Sequence, residues 1–127
     1  MLVSLTHYTK AGEIADYIRE AIRKDHVDDL KLSLLAKRFL LSESSLTGIF
    51  RLRYHTSIRS FIVREKNKYI CELLLTQMRI KEIALASGYT ELSNFSRDFS
   101  KIQGMSPNAW REAKRKVNTG FSMEQCL

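Results

Sequence analysis

Residues 80–111 read IKEIALASGYTELSNFSRDFSKIQGMSPNAWR, and the same pattern occurs in weaker form in residues 32–62, LSLLAKRFLLSESSLTGIFRLRYHTSIRSFI. At an offset of 48, Leu32 falls on Ile80, Leu35 on Ile83, Ala36 on Ala84, Leu41 on Tyr89, Ser42 on Thr90, Glu43 on Glu91 and Ser45 on Ser93. One inserted residue then changes the offset to 49, so that Leu46 meets Phe95, Phe50 meets Phe99, Ser57 meets Ser106 and Phe61 meets Trp110. A repeat of this length fixes architecture before any motif is weighed. Each copy reads as a short helix, a turn, a second helix, a tight break and a capped next helix. In the second copy Gly88 turns the chain, Gly104 ends the second helix by allowing a left-handed residue, and Pro107 follows the Ser106 cap as a good first helical residue. This is a helix-turn-helix pattern, present twice.

The rest of the chain is also helical in its periodicity, because apolar residues recur at three and four rather than at two, with one Pro and five Gly in the whole sequence. Ala11, Ile14, Ala15, Ile18, Ala21 and Ile22 form one stripe after a Thr9 cap and predict a first helix to about Lys24. The stretch DHVDDLK, residues 25–31, then breaks the pattern. Ser42 and Glu43 open a helix that runs through Leu46, Ile49 and Phe50. Ser57 caps a long helix whose stripe is Ile58, Phe61, Ile62, Tyr69, Ile70, Leu73 and Leu74, with Glu65 out of pattern. The expectation is an all-α fold of about seven helices: an N-terminal arm (1–8), a first helix-turn-helix subdomain (9–56), a linker helix (57–75), a second subdomain (76–116) and a C-terminal tail (117–127). If the linker is one helix of nineteen residues, it spans roughly 28 Å, comparable to the ~34 Å between successive major-groove faces of B-DNA.

Composition narrows the partner. The 127 residues carry 44% hydrophobic residues and a formal net charge of +7, which suits a globular protein with an anionic partner. Residues 1–30 hold four Lys or Arg against six Asp or Glu, leaving 17 against eight for residues 31–127. The anion should therefore meet the later part. Cys71 and Cys126 do not form a metal-ligand spacing, and Cys71 within YICELLL reads as a small buried hydrophobe. No apolar run approaches the roughly 20 residues needed to span a bilayer, and the N-terminus lacks a signal-peptide pattern, so a cytoplasmic protein without membrane contact is expected. His7, His26 and His55 are scattered. No grouping offers a nucleophile with its base, a metal site or a Gly-rich phosphate loop, so no enzyme, metal or cofactor is expected.

Within the repeat, the second helix of each unit buries one face and offers the other. Phe95 and Phe99 anchor one side, while Ser93, Asn94, Arg97 and Lys101 share the opposite one. Asn can pair with adenine and Arg with guanine through two hydrogen bonds, so these residue types suit base reading in a major groove. In the first copy the outward residues are Ser44, Ser45, Thr47 and Gly48; none reaches far, and Gly48 permits a close approach. The expected base readers are thus Ser44, Ser45, Thr47, Ser93, Asn94 and Arg97. Lys37, Arg38, Arg51, Arg53 and Lys101 are phosphate contacts or solvated charge. Leu46, Phe50, Phe61, Ile83, Phe95, Phe99 and Trp110 lie on the helical stripes and are assigned to the core. An RNA-binding helical domain should expose aromatics for stacking on unpaired bases, and these aromatics read as buried. A helical protein-interaction module remains the alternative.

At these residues the sequence resembles the DNA-binding domain of AraC-type transcription regulators. The resemblance covers about residues 10–115 and is most specific in the second copy, where Ile80, Ile83, Ala84, Gly88, Tyr89, Phe95, Arg97, Phe99, Lys101, Gly104, Ser106 and Pro107 fall on the family pattern. In the first copy Gly48 replaces a long polar residue usual in the family, and His55 stands where Gly is common. The resemblance implies two subdomains on a long helix, with two recognition helices inserted into successive major grooves of double-stranded DNA. It further implies an activator with RNA polymerase as a second partner, and a monomer on an asymmetric site if the protein stands alone.

Overall fold

A computed structural model describes residues 5–24 and 30–116. The expected tail 117–127, Cys126, His26 and most of the DHVDDLK break lie outside the described residues. The elements are α1 (Leu5–Arg23), α2 (Leu32–Arg38), α3 (Glu43–Tyr54), α4 (Ile58–Leu74), α5 (Ile80–Ala86), α6 (Leu92–Gln103) and α7 (Pro107–Lys116). No strand occurs among the described residues. Two compact units divide between Val63 and Arg64, inside α4.

The first unit is built on α1, whose stripe Ala11, Ile14, Ala15, Ile18, Ala21 and Ile22 is buried throughout. It shares the core with Leu35, Ala36, Leu46, Ile49, Phe50, Ile58 and Phe61. Phe50 and Phe61 meet edge to face at 5.1 Å. Burying a side chain of this size contributes about 1.5–3 kcal/mol, which is how a seven-residue α2 with little intrinsic helicity stays folded. One expectation fails here. Thr9 does not cap α1: residues 5–8 of the expected arm are already helical. Thr9 Oγ1 instead donates to the Leu5 carbonyl at 2.9 Å. The reason is tertiary, because the Arg53 guanidinium stacks on the Tyr8 ring at 4.1 Å and Arg53 Nη1 donates to the Tyr8 carbonyl at 2.8 Å.

The second unit packs Ile70, Cys71, Leu74, Ile83, Ala84, Phe95, Phe99 and Trp110 into one core. Its aromatics form a chain: Tyr89 to Phe95 at 5.5 Å, Phe95 to Phe99 at 6.3 Å, and Phe99 to Trp110 at 6.2 Å. Arg111 is nearly buried beside it, donating from Nε to the Leu74 carbonyl at 2.9 Å and from Nη2 to the Met78 carbonyl at 2.6 Å. It thereby satisfies a carbonyl at the end of α4 that the helix itself leaves open.

The repeat extends to the backbone hydrogen bonds. Phe39, Leu40 and Leu41 donate to Leu35, Lys37 and Ala36, and Ser87, Gly88 and Tyr89 donate to Ile83, Leu85 and Ala84 in the same order. Downstream, the helix-opening bond Leu46 to Ser42 is matched by Phe95 to Glu91, and the helix-closing bond His55 to Arg51 by Gly104 to Ser100. The Ser57 hydroxyl accepts from the Ser60 amide, as Ser106 does from Ala109, both at 3.1 Å. These pairs move the inserted residue. It does not fall within the second helix, after Ser93, but in the turn before it. Ser42 therefore corresponds to Glu91, Ser44 to Ser93, Ser45 to Asn94 and Gly48 to Arg97. The cause is the helix start: the position that caps α3 is Ser42 and the one that caps α6 is Glu91, so Thr90 is the extra turn residue.

Candidate nucleic-acid interface

In the second unit, Phe95 and Phe99 fix the inner face of α6. The outer face then carries Ser93, Arg97 and Lys101, all exposed, with Asn94 half-buried. Arg97 Nη2 donates to Asn94 Oδ1 at 2.9 Å, so the two residues best suited to base edges form one hydrogen-bonded group. One turn along, the Tyr89 hydroxyl donates to Asp98 Oδ2 at 2.9 Å and the Lys66 ammonium lies 4.5 Å over the Tyr89 ring. Burial, then the Asp98 carboxylate, raises the Tyr89 hydroxyl well above its usual range, so it stays protonated and remains a donor. Burial also lowers the Lys66 pKa, against which Asp98 acts in the opposite direction. Tyr89 and Lys66 thus hold α6 from the turn and from α4, and Asp98 is engaged inside the unit.

In the first unit, Ser44, Ser45 and Gly48 are exposed and Thr47 is half-buried. Ser45 is partly committed to the start of α3: its amide donates to Ser42 Oγ at 3.1 Å, and its hydroxyl accepts from the Ser42 hydroxyl at 3.0 Å. Lys37 and Arg51 are exposed, as is Lys101 in the second unit. Arg38 is exposed too and Arg53 is half-buried, and both rest on tyrosine rings. The Arg38 guanidinium rests 4.4 Å over the Tyr17 ring, and Arg53 is held by Tyr8 and lies 5.2 Å over Tyr54. The seven residues assigned to the core, Leu46, Phe50, Phe61, Ile83, Phe95, Phe99 and Trp110, are all buried.

Arg111, the Tyr89–Asp98 pair with Lys66 and the anchoring of α1 by Arg53 have no counterpart in the sequence pattern. Each joins residues from separate elements, and no local spacing announces such pairs. No group of His, Cys, Asp and Glu among the described residues could hold a metal ion, and no described helix is long and apolar enough to cross a membrane.

Two turn-linked helix pairs, each offering one polar helix face, form the fold of known DNA-binding regulators. Residues 35–113 match the family described as "Helix-turn-helix domain". The chain belongs to the AraC-type helix-turn-helix family. It is 36% identical over 93 residues to the MmsAB operon regulatory protein of Pseudomonas aeruginosa, covering 72% of this chain and 30% of that protein. It is 28% identical over 105 residues to the HTH-type transcriptional regulator YtdP of Bacillus subtilis, covering 82% of this chain and 14% of that one. Against the C-terminal domain of AraT, a response regulator from Geobacillus stearothermophilus, the TM-score is 0.74 at 28% identity, with 82% of this chain and 84% of that chain covered. The chain spans between 14% and 34% of the length of the curated relatives it matches. What matches is the DNA-binding domain of AraC-type transcription regulators.

Proposed function

We propose that this AraC-type domain acts as a sequence-specific activator, inserting α3 and α6 into successive major grooves of double-stranded DNA, with α6 supplying most of the base discrimination. The observation that carries this reading is the outer face of α6, where Arg97 and Asn94 stand together, exposed and half-buried, on a helix anchored by Phe95 and Phe99. Arg and Asn side chains can each make paired hydrogen bonds to a base edge, worth about 1–3 kcal/mol of discrimination. Ser93 joins them. The short hydroxyls of Ser44, Ser45 and Thr47 reach phosphates or a closely approaching base edge, and the exposed Lys37, Arg51 and Lys101 neutralise phosphates. Arg38 and Arg53, resting on tyrosine rings, contribute mainly to holding the first unit together. As an activator in the cytoplasm, the domain has RNA polymerase as its second partner, and if it is the whole protein it binds an asymmetric site as a monomer.

The test is selection of binding sites from random duplex DNA by the unaltered chain, Arg97→Ala and Thr47→Ala. Arg97→Ala should relax base preference in one half of the selected site, while Thr47→Ala should weaken binding by a similar factor across all sequences. If Thr47→Ala erased the preference in its half and Arg97→Ala left both halves unchanged, α3 would be the main reader.

A further inference from the structure

Among the described glycines, Gly12, Gly88 and Gly104 have reasons to be glycine that lie inside the protein. A Cβ at Gly12 would run into the Arg53 guanidinium, and Gly88 and Gly104 take φ of 88° and 77°, where side chains are disfavoured. Gly48 has no such reason. It lies inside α3, outside the left-handed region, exposed, and a Cβ built on it meets nothing within 4 Å. Glycine in a helix interior is less stable than alanine because it gives up more backbone freedom on folding. Folding of the free protein therefore gains nothing from Gly48.

The face before it carries only short groups, the longer Arg51 and the exposed Leu52 coming one turn later. Ser44 and Ser45 precede it by one helical turn and Arg51 follows it by one, so all share its side of α3. In the register set by the backbone, Gly48 takes the place of Arg97 and Ser45 that of Asn94. At these two positions the second unit reaches outward with long side chains where the first presents main chain and a hydroxyl. Short groups touch a groove only if the helix itself comes closer, and the side chain that would hold it off at this position is the one missing.

We propose that Gly48 sets the depth at which α3 seats on DNA, by leaving the helix backbone bare at the point of closest approach. The proposal rests on the DNA-binding reading above and adds a residue that acts through the absence of a side chain. Stability and affinity should then move in opposite directions on substitution, which a purely structural role does not produce.

The experiment compares the unaltered chain with Gly48→Ala and Gly48→Leu by thermal melting and by titration against two duplexes of equal length, one recovered by selection and one unrelated. Gly48→Ala should melt higher and bind the selected duplex about tenfold more weakly, since an inserted methyl in a close contact typically costs that much. Gly48→Leu should bind more weakly still, and Gly48→Ala should lose a similar factor on the unrelated duplex, because the short hydroxyls that α3 brings up reach phosphates on any sequence. A Gly48→Ala chain that binds the selected duplex as tightly as the unaltered one overturns the proposal, and so does one that melts lower, which would place the need for glycine in the fold. If the unaltered chain itself shows no preference between the duplexes, the DNA reading falls and the role of Gly48 falls with it.

Discussion

Leu40 and His55 occupy left-handed backbone at φ of 57° and 56°, in the places where the second unit has Gly88 and Gly104. For a residue with a Cβ this conformation costs about 1–2 kcal/mol, because the Cβ crowds the following carbonyl oxygen. Leu40 is 89% exposed, so its side chain returns almost nothing through burial. Replacing it with Gly removes the crowding, and the greater freedom of Gly in the unfolded chain takes back roughly 0.4–1 kcal/mol. The net for Leu40→Gly is a stabilisation of about 0.5–1 kcal/mol, which for a domain of this size raises the melting midpoint by roughly 2–8 °C. His55→Gly, at the exposed end of α3, should act in the same direction. The reciprocal substitution Gly88→Ala should destabilise by about 1–2 kcal/mol. Urea and thermal unfolding followed by circular dichroism measure all three. A lower midpoint for Leu40→Gly would refute the reasoning, since it would mean that the exposed leucine contributes more to the folded state than its backbone strain costs.

Affinity for duplex DNA should fall steeply with salt: if Lys37, Arg51 and Lys101 each neutralise one phosphate, a fourfold rise in salt weakens binding by roughly 40-fold, and salt-insensitive binding would favour a protein-interaction module instead. Arg111→Ala removes both donors from the Leu74 and Met78 carbonyls; at about 1–3 kcal/mol for each acceptor left unmatched, the second unit should lose about 2–6 kcal/mol, read by urea unfolding with the fluorescence of the single Trp110. Arg111→Lys should recover only part of this, because an ammonium cannot reproduce the two-pronged donor, and a loss below about 0.5 kcal/mol for the alanine variant would show that the fork holds nothing.

Helical periodicity, serine caps and turn glycines are short-range signals, and they suffice to place most of the helices, the repeat and the buried stripes. Phe50 and Phe61 with their counterparts Phe99 and Trp110 lie on apolar stripes that a helix can bury in only one way, and all are buried. The outward residues Ser93 and Arg97 followed from the same periodicity. The register between the two recognition helices was a different matter. Residue types alone matched Ser45 to Ser93, whereas the capping positions Ser42 and Glu91 place it opposite Asn94 and place Gly48 opposite Arg97. Side-chain similarity cannot locate a one-residue insertion in a turn, but the hydrogen bonds that open each helix can. The helical state of residues 5–8 is likewise supported from another element, by Arg53, which reaches Tyr8 across 45 residues of sequence. The fork of Arg111 onto Leu74 and Met78, and the contact of Tyr89 with Asp98 and Lys66, have the same origin. Long polar side chains have many possible partners in the sequence, and only the packing of the surrounding helices leaves one within hydrogen-bonding reach.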